Sequence, residues 1–190
     1  MERALQEPMQ DGTVYQDALP LTVVRPPAVY GPREADIYTF FKTVSKGLFP
    51  VVGSGTEKEL SLVHVRDLVR GIADAAEHPE AAGETYFLGS EAFYSWKEVK
   101  EATTDALGRR ALKLPIPRFL VKPIGAAVEA VSRLTGQYPP LNREKAREIR
   151  EACLMCSVEK ARRDFGYRQE VPLDDGIRET IAWYQAEGWL

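Results

Sequence analysis

The stretch Leu21-Thr22-Val23-Val24-Arg25-Pro26-Pro27-Ala28-Val29-Tyr30-Gly31-Pro32-Arg33-Glu34 constrains this chain more than any other. It opens as a short β-branched run, the composition of a buried strand. Pro26 and Pro27 then remove two backbone donors, so the ladder must stop at that point. Gly31-Pro32 is a second break. The stretch therefore predicts a strand over 19–25 that ends in a stiff loop carrying the Tyr30 hydroxyl and the Arg33 cation. In open α/β sheets, ligands bind in the crevice beyond the carboxyl ends of strands, which is where this loop falls.

Alternation of strand and helix patterns runs through the rest. A helix is predicted over 36–46, from Ile37, Phe40, Phe41 and Val44, with Gly47 as its stop. Strands follow at 49–52 and 60–65, separated by the Gly53-Ser54-Gly55 turn. Asp67 suits a helix N-cap, and Leu68, Val69, Ile72, Ala73 and Ala76 form that helix's apolar stripe. His78-Pro79 ends it. A strand is expected at 84–89. Ser95 and Glu98 spell a capping box for a helix to about 107, closed by Gly108. Residues 110–116 are extended. An amphipathic helix follows at 117–134, with Pro123 inside it. Its mixed-sign face of Arg118, Lys122, Glu129 and Arg133 points to ordinary packing rather than to a membrane surface. A charged helix at 142–151, a short one at 157–165 closed by Gly166, and a last one at 173–187 complete the pattern. The class is α/β.

At 190 residues the chain has room for one substantial core. We divide it into a poorly patterned segment, 1–18, and a body, 19–190. Net charge is −3 with no basic stripe, which speaks against nucleic acid as a partner. No apolar run approaches the ~20 residues of a membrane span, and no secretory leader pattern opens the chain, so the expected location is cytoplasmic. The 2 cysteines, Cys153 and Cys156, imply no disulfide framework. Their CxxC spacing lacks a second ligand pair, so no metal site is expected.

Arg-Pro-Pro-x-Val-Tyr-Gly-Pro-Arg after a hydrophobic strand resembles the extended short-chain dehydrogenase/reductase family. That family holds the NAD(P)-dependent nucleotide-sugar epimerases and dehydratases and the 3β-hydroxysteroid dehydrogenase-like enzymes. The resemblance continues through Val63-His64-Val65-Arg66-Asp67-Leu68, Glu84-Thr85-Tyr86-Phe87-Leu88-Gly89, Lys160-Ala161-Arg162-Arg163-Asp164-Phe165-Gly166-Tyr167 and Gly176-Ile177-Arg178-Glu179-Thr180. It covers roughly 19–190. It implies the C-terminal part of a Rossmann-like reductase: the last parallel strands of the cofactor sheet plus a mostly helical substrate-binding lobe.

The resemblance also assigns residues. Pro26, Pro27 and Val29 would touch the nicotinamide side of NAD or NADP. Tyr30, Arg33, Tyr38, His64 and Arg150 would face substrate, with Arg33 able to hold a phosphate or carboxylate in bidentate fashion. Nucleotide-sugar members carry an arginine four residues before this histidine; here the position is Leu60, which shifts weight from a sugar nucleotide toward an apolar alcohol or ketone. No glycine-rich phosphate turn is present in the sequence. The family's catalytic Tyr-x-x-x-Lys precedes the 21–33 strand and loop, whereas the one match here, Tyr38 and Lys42, follows it. The chain is therefore expected to be inactive alone and to bind no dinucleotide tightly. The competing reading is a non-catalytic ligand-binding or interaction module. Strands 21–25 and 85–89 should be neighbours. The open edge of the first should pair with a second copy, giving a homo-oligomer, or be covered by residues 1–18.

Overall fold

The computed structural model describes residues 20–52, 59–117, 119–120, 123 and 155–190. The first strand, β1 (Val23–Arg25), ends at the proline pair as its composition requires, and the chain resumes at once as β2 (Ala28–Tyr30). The loop expected there is thus partly strand. The prolines end one ladder, but Ala28, Val29 and Tyr30 keep their amides and turn to a different partner. Helix α1 (Tyr38–Ser45) and strand β3 (Leu48–Val52) follow. Next come β4 (Glu59–Leu60) and β5 (Leu62–His64), then helix α2 (Val65–Glu77). After β6 (Thr85–Phe87) and β7 (Tyr94–Ser95) lie helix α3 (Trp96–Leu107) and β8 (Leu112–Ile116). Helices α4 (Glu159–Phe165) and α5 (Leu173–Ala186) close the described chain.

Three strand pairs are parallel. β1 lies beside β6, with Val23 opposite Thr85 and Arg25 opposite Phe87, as the sequence led us to expect. β2 lies beside β5, with Tyr30 opposite His64. β3 lies beside β8, a pairing that the extended 110–116 segment did not reveal. β4 and β7 form a short antiparallel pair.

Termini follow local chemistry. The Ser95 hydroxyl accepts from the Glu98 amide at 3.2 Å, and the Glu98 carboxylate accepts from the Ser95 amide at 2.7 Å, completing the capping box. Gly108 (φ +59°) and Gly166 (φ +73°) supply the left-handed residues that end α3 and α4. At α1 no side chain caps from Ile37. The Glu34 carboxylate instead accepts from the Asp36 and Ile37 amides, each at 2.6 Å.

Two expectations for α2 are corrected. His64, not Asp67, is the N-cap, because β5 runs directly into the helix and leaves His64 as the last extended residue. The buried face carries Asp67, Gly71 and Ala75, while Val69 (61%) and Ile72 (45%) are exposed, as are Ala73 and Ala76. The cause is Tyr167. A Cβ on Gly71 would stand 2.7 Å from the Tyr167 ring and 2.9 Å from Leu88, so only the glycine face can meet that ring.

The main core packs α5 and α3 against β2 and β5 through Tyr30, Leu62, Val99, Ile177, Ile181 and Tyr184. A second cluster joins Tyr86, Leu88, Ala161 and Tyr167 under α2 and α4. A third places Phe49 and Val51 of β3 against Val44 and Ala111. The helices expected at 117–134 and 142–151, the segment 1–18, and the 53–55 turn lie wholly or mostly outside the described residues.

Candidate functional site

Tyr30 and His64 end adjacent parallel strands, and both are 2% exposed. Their rings meet edge to face, centroids 5.2 Å apart at 73°. Two glycines make room for them. Gly31, at φ +146°, passes so close that a Cβ would stand 2.6 Å from Val65 and 3.3 Å from His64 Nε2. On α5, a Cβ at Gly176 would stand 2.6 Å from the Tyr30 oxygen and 3.0 Å from His64 Cδ2. The pair is thus locked between the Gly31 turn and α5. Burial pushes the Tyr30 hydroxyl far above its usual range, so it stays a neutral phenol.

His64 is held by one nitrogen. Its Nδ1 accepts from the Arg66 amide at 3.4 Å, which assigns the proton of the neutral ring to Nε2. Nε2 is buried and has no hydrogen-bond partner among the described residues. The nearest acid is Glu179 of α5, with Oε2 at 3.9 Å, and that oxygen lies 2.5 Å from Arg66 Nη2. Burial lowers the His64 pKa, Glu179 acts against this, and Arg66 adds to it.

Asp67 works in a different direction from the capping role expected of it. Its carboxylate accepts from the Glu170 amide at 3.1 Å and the Val171 amide at 3.0 Å, and Arg70 Nη2 lies at 3.1 Å. Gln169 extends the same tether. Its amide donates to the Glu91 carboxylate at 3.1 Å, its Oε1 accepts from the Glu91 amide at 3.2 Å, and its Nε2 donates to the Tyr94 oxygen at 3.0 Å. Segment 167–171 is thereby fastened to the turn that follows β6. Sequence reasoning missed Gln169 and Glu179 because their partners are 78 and 113 positions away and no local pattern marks them.

At the carboxyl end of β1, Pro26 is exposed and Pro27 half-buried; Val29, in the middle of β2 opposite Val63, is half-buried too. A Cβ on Gly89 would stand 3.1 Å from both Pro27 Cγ and Cys156 Sγ, so Pro27, Gly89 and Cys156 form one tight corner. The Cys156 amide donates to Ser61 Oγ at 3.1 Å, and burial pushes its thiol upward in pKa. Arg33 is exposed in the left-handed region, at φ +71°.

Tyr38 lies elsewhere, in an aromatic cluster at the C-terminus. Its ring meets those of Tyr184 and Trp189, and its hydroxyl donates to the Trp189 carbonyl. Lys42 Nζ stands over the ring face, 5.2 Å from the centroid. Lysine on the face rather than at the oxygen does not make a proton relay of this Tyr-x-x-x-Lys match. Arg150 lies outside the described residues.

For a dinucleotide, the described residues offer a partial fit. The proline corner can line one side of a flat ring. No described glycine-rich turn opens a helix to receive a pyrophosphate, since Gly31 and Gly89 are both filled by neighbouring side chains.

Comparison with known proteins agrees with this geometry. The sequence profile of the NAD dependent epimerase/dehydratase family matches residues 7–89. An uncharacterised protein, y4nL, of Sinorhizobium fredii is 31% identical over 99% of this chain and 52% of its own length. Ceramide reductase of Caulobacter vibrioides is 29% identical over 88% of this chain and 52% of its own. The crystal structure of UDP-glucuronic acid 4-epimerase from Bacillus cereus, in complex with NAD, superposes with a TM-score of 0.66 at 18% identity, covering 92% of this chain and 48% of that one. The chain spans about half the length of the curated relatives it matches. No helix among the described residues is long and apolar enough to cross a membrane.

Proposed function

Because this chain belongs to the NAD dependent epimerase/dehydratase family, we propose that it forms the substrate side of an NAD(P)-dependent epimerase, dehydratase or reductase. The dinucleotide cradle and the Tyr-Lys proton relay are contributed by residues outside this sequence. The observation that carries the reading is that the chain breaks at Pro26-Pro27 between two strands laid parallel to later ones, β1 beside β6 and β2 beside β5, with Pro27 against Gly89 and the Gly31 turn against His64 and Val65.

In this reading Pro26 and Pro27, which carry no backbone donor, and Val29 present an apolar edge to the nicotinamide, which when bound accepts or returns hydride. Such an edge repels water from the ring without competing for hydrogen bonds. Tyr30 and His64, closed in the core, hold the Gly31–Arg33 turn from behind. Arg33, exposed, takes an anionic group of the substrate. Arg150 completes the substrate lobe, and Tyr38, packed on Tyr184 and Trp189, supports that lobe from the C-terminal aromatic cluster.

The substrate is a sugar nucleotide or an apolar alcohol or ketone. A specific observation favours the second. Leu60, at the position where nucleotide-sugar members carry an arginine, is 3% exposed and packed in the main core. Ceramide reductase among the relatives accords with an apolar substrate.

The chain alone is proposed to be inactive. Nicotinamide-dinucleotide titration followed by the fluorescence of Trp96, Trp183 and Trp189 should give no saturable change. Saturable micromolar binding would overturn the division of labour and favour a self-sufficient ligand-binding module. Among the described residues β1 pairs only with β6. We assign its other edge to strand pairing with a second copy, to be checked by light scattering on the eluted protein; a monomer at all concentrations refutes it.

A further inference from the structure

We propose that Glu179 is a carboxylate with two seats, Arg66 outside and His64 Nε2 inside, and that protonation of His64 moves it inward. The inner seat carries an unmet need. His64 Nε2 bears the proton of the neutral ring, is fully buried, and finds no acceptor among the described residues. Buried donors are almost always satisfied, so one left open calls for an acceptor. Glu179 Oε2 at 3.9 Å needs to close less than about 1 Å to reach hydrogen-bond distance.

The outer seat is weak. Arg66 has a side chain 63% exposed and Glu179 one 37% exposed, so solvent screens their pairing. In the observed position Glu179 answers the exposed cation and leaves the buried donor empty. That preference reverses once His64 carries a full charge, because a buried imidazolium cannot remain unpaired.

The other groups facing His64 are settled. Tyr30 of β2 presents a ring edge contact. Asp67 of α2 is occupied by the Glu170 and Val171 amides and by Arg70. Arg66 of α2 disfavours the charged ring. Only Glu179, on α5, has freedom to respond. Because α5 also carries Gly176 against Tyr30 and His64, an inward step tightens α5 onto the ends of β2 and β5 and onto the Gly31 turn. The device couples the proton on His64 to the fit of α5. It does not depend on which substrate the parent enzyme takes.

The test is imidazole nitrogen NMR on the 190-residue chain, which has 2 histidines. His78→Gln assigns the His64 signals. Glu179→Gln should lower the His64 pKa by about one unit, and Arg66→Ala should raise it by a similar amount. In the double variant, removing Arg66 should raise the His64 pKa by much less than it does in the wild type, because only the direct repulsion by Arg66 remains once Glu179 can no longer answer. Additive shifts would mean two fixed charges and no movement, and would overturn the proposal. So would an unchanged pKa in Glu179→Gln. If Glu179→Gln fails to fold, Glu179→Asp, too short to fill the inner seat, carries the same expected fall and the same refutation.

Discussion

The Tyr167 hydroxyl donates to the Gly89 carbonyl at 3.1 Å across 78 positions of sequence. That bond ties the segment between α4 and α5 to the corner where β6 ends, and both residues are buried. Tyr167→Phe keeps the ring and its packing but removes the donor. The loss should cost about 1–2 kcal/mol, read as a lowered urea midpoint with an unchanged slope. A changed slope would mean that the segment had detached.

Gly71→Ala sets two effects of opposite sign against each other. In an exposed helix interior the added methyl would stabilise by about 1 kcal/mol. Here it would stand 2.7 Å from the Tyr167 ring and 2.9 Å from Leu88. Overpacking of that kind costs about 1–3 kcal/mol, and both neighbours are buried, with the closer one a rigid ring. We expect net destabilisation in urea unfolding. A gain would mean that the Tyr167 ring yields freely.

These contacts mark the limit of what was legible in the residues. Local chemistry read true: Ser95 with Glu98, Gly108 and Gly166 as stops, and the proline end of β1 all fall where spacing placed them. The neighbouring of β1 and β6 came with the family resemblance and holds. The rotation of α2 could not be read, because its apolar stripe pointed one way and a tyrosine 96 residues on, filling the space beside a glycine, decided otherwise. The role of Asp67 failed for the same reason, since its backbone partners Glu170 and Val171 lie over a hundred positions away. The strand at Ala28–Tyr30 was hidden by the prolines before it. In the candidate site, the residues at strand ends were legible and their connections were not.

Stability should fall on the acid side through His64. Burial, the largest cause, lowers its folded-state pKa below the unfolded value of about 6.5. Between the two values the unfolded chain binds more protons than the folded one. The His64 contribution is therefore complete above about pH 6.5 and is lost as the pH falls through the lowered folded value. Urea unfolding of the wild type and His64→Gln at pH 7.5 and pH 5.5 isolates it, since other groups cancel in the difference. The stability advantage of the wild type should shrink at the lower pH. An equal difference at both values would refute the lowered pKa.

Asp67 and Asp175 both pair with an arginine three residues on, Arg70 and Arg178, at 3.1 and 2.7 Å. Distance alone would rank the second pair stronger. Burial reverses the order. The Asp67 side chain is 1% exposed and also receives the Glu170 and Val171 amides, whereas Asp175 and Arg178 are 60% and 65% exposed. Asp67→Ala leaves the Glu170 and Val171 amides without an acceptor, while Arg70 keeps the Glu170 carboxylate and the Arg168 carbonyl, so the loss should be about 3 kcal/mol. Asp175→Ala should change stability by less than about 1 kcal/mol. Parallel urea titrations decide it. Comparable losses in the two variants would show that the 167–171 tether does not depend on the Asp67 carboxylate.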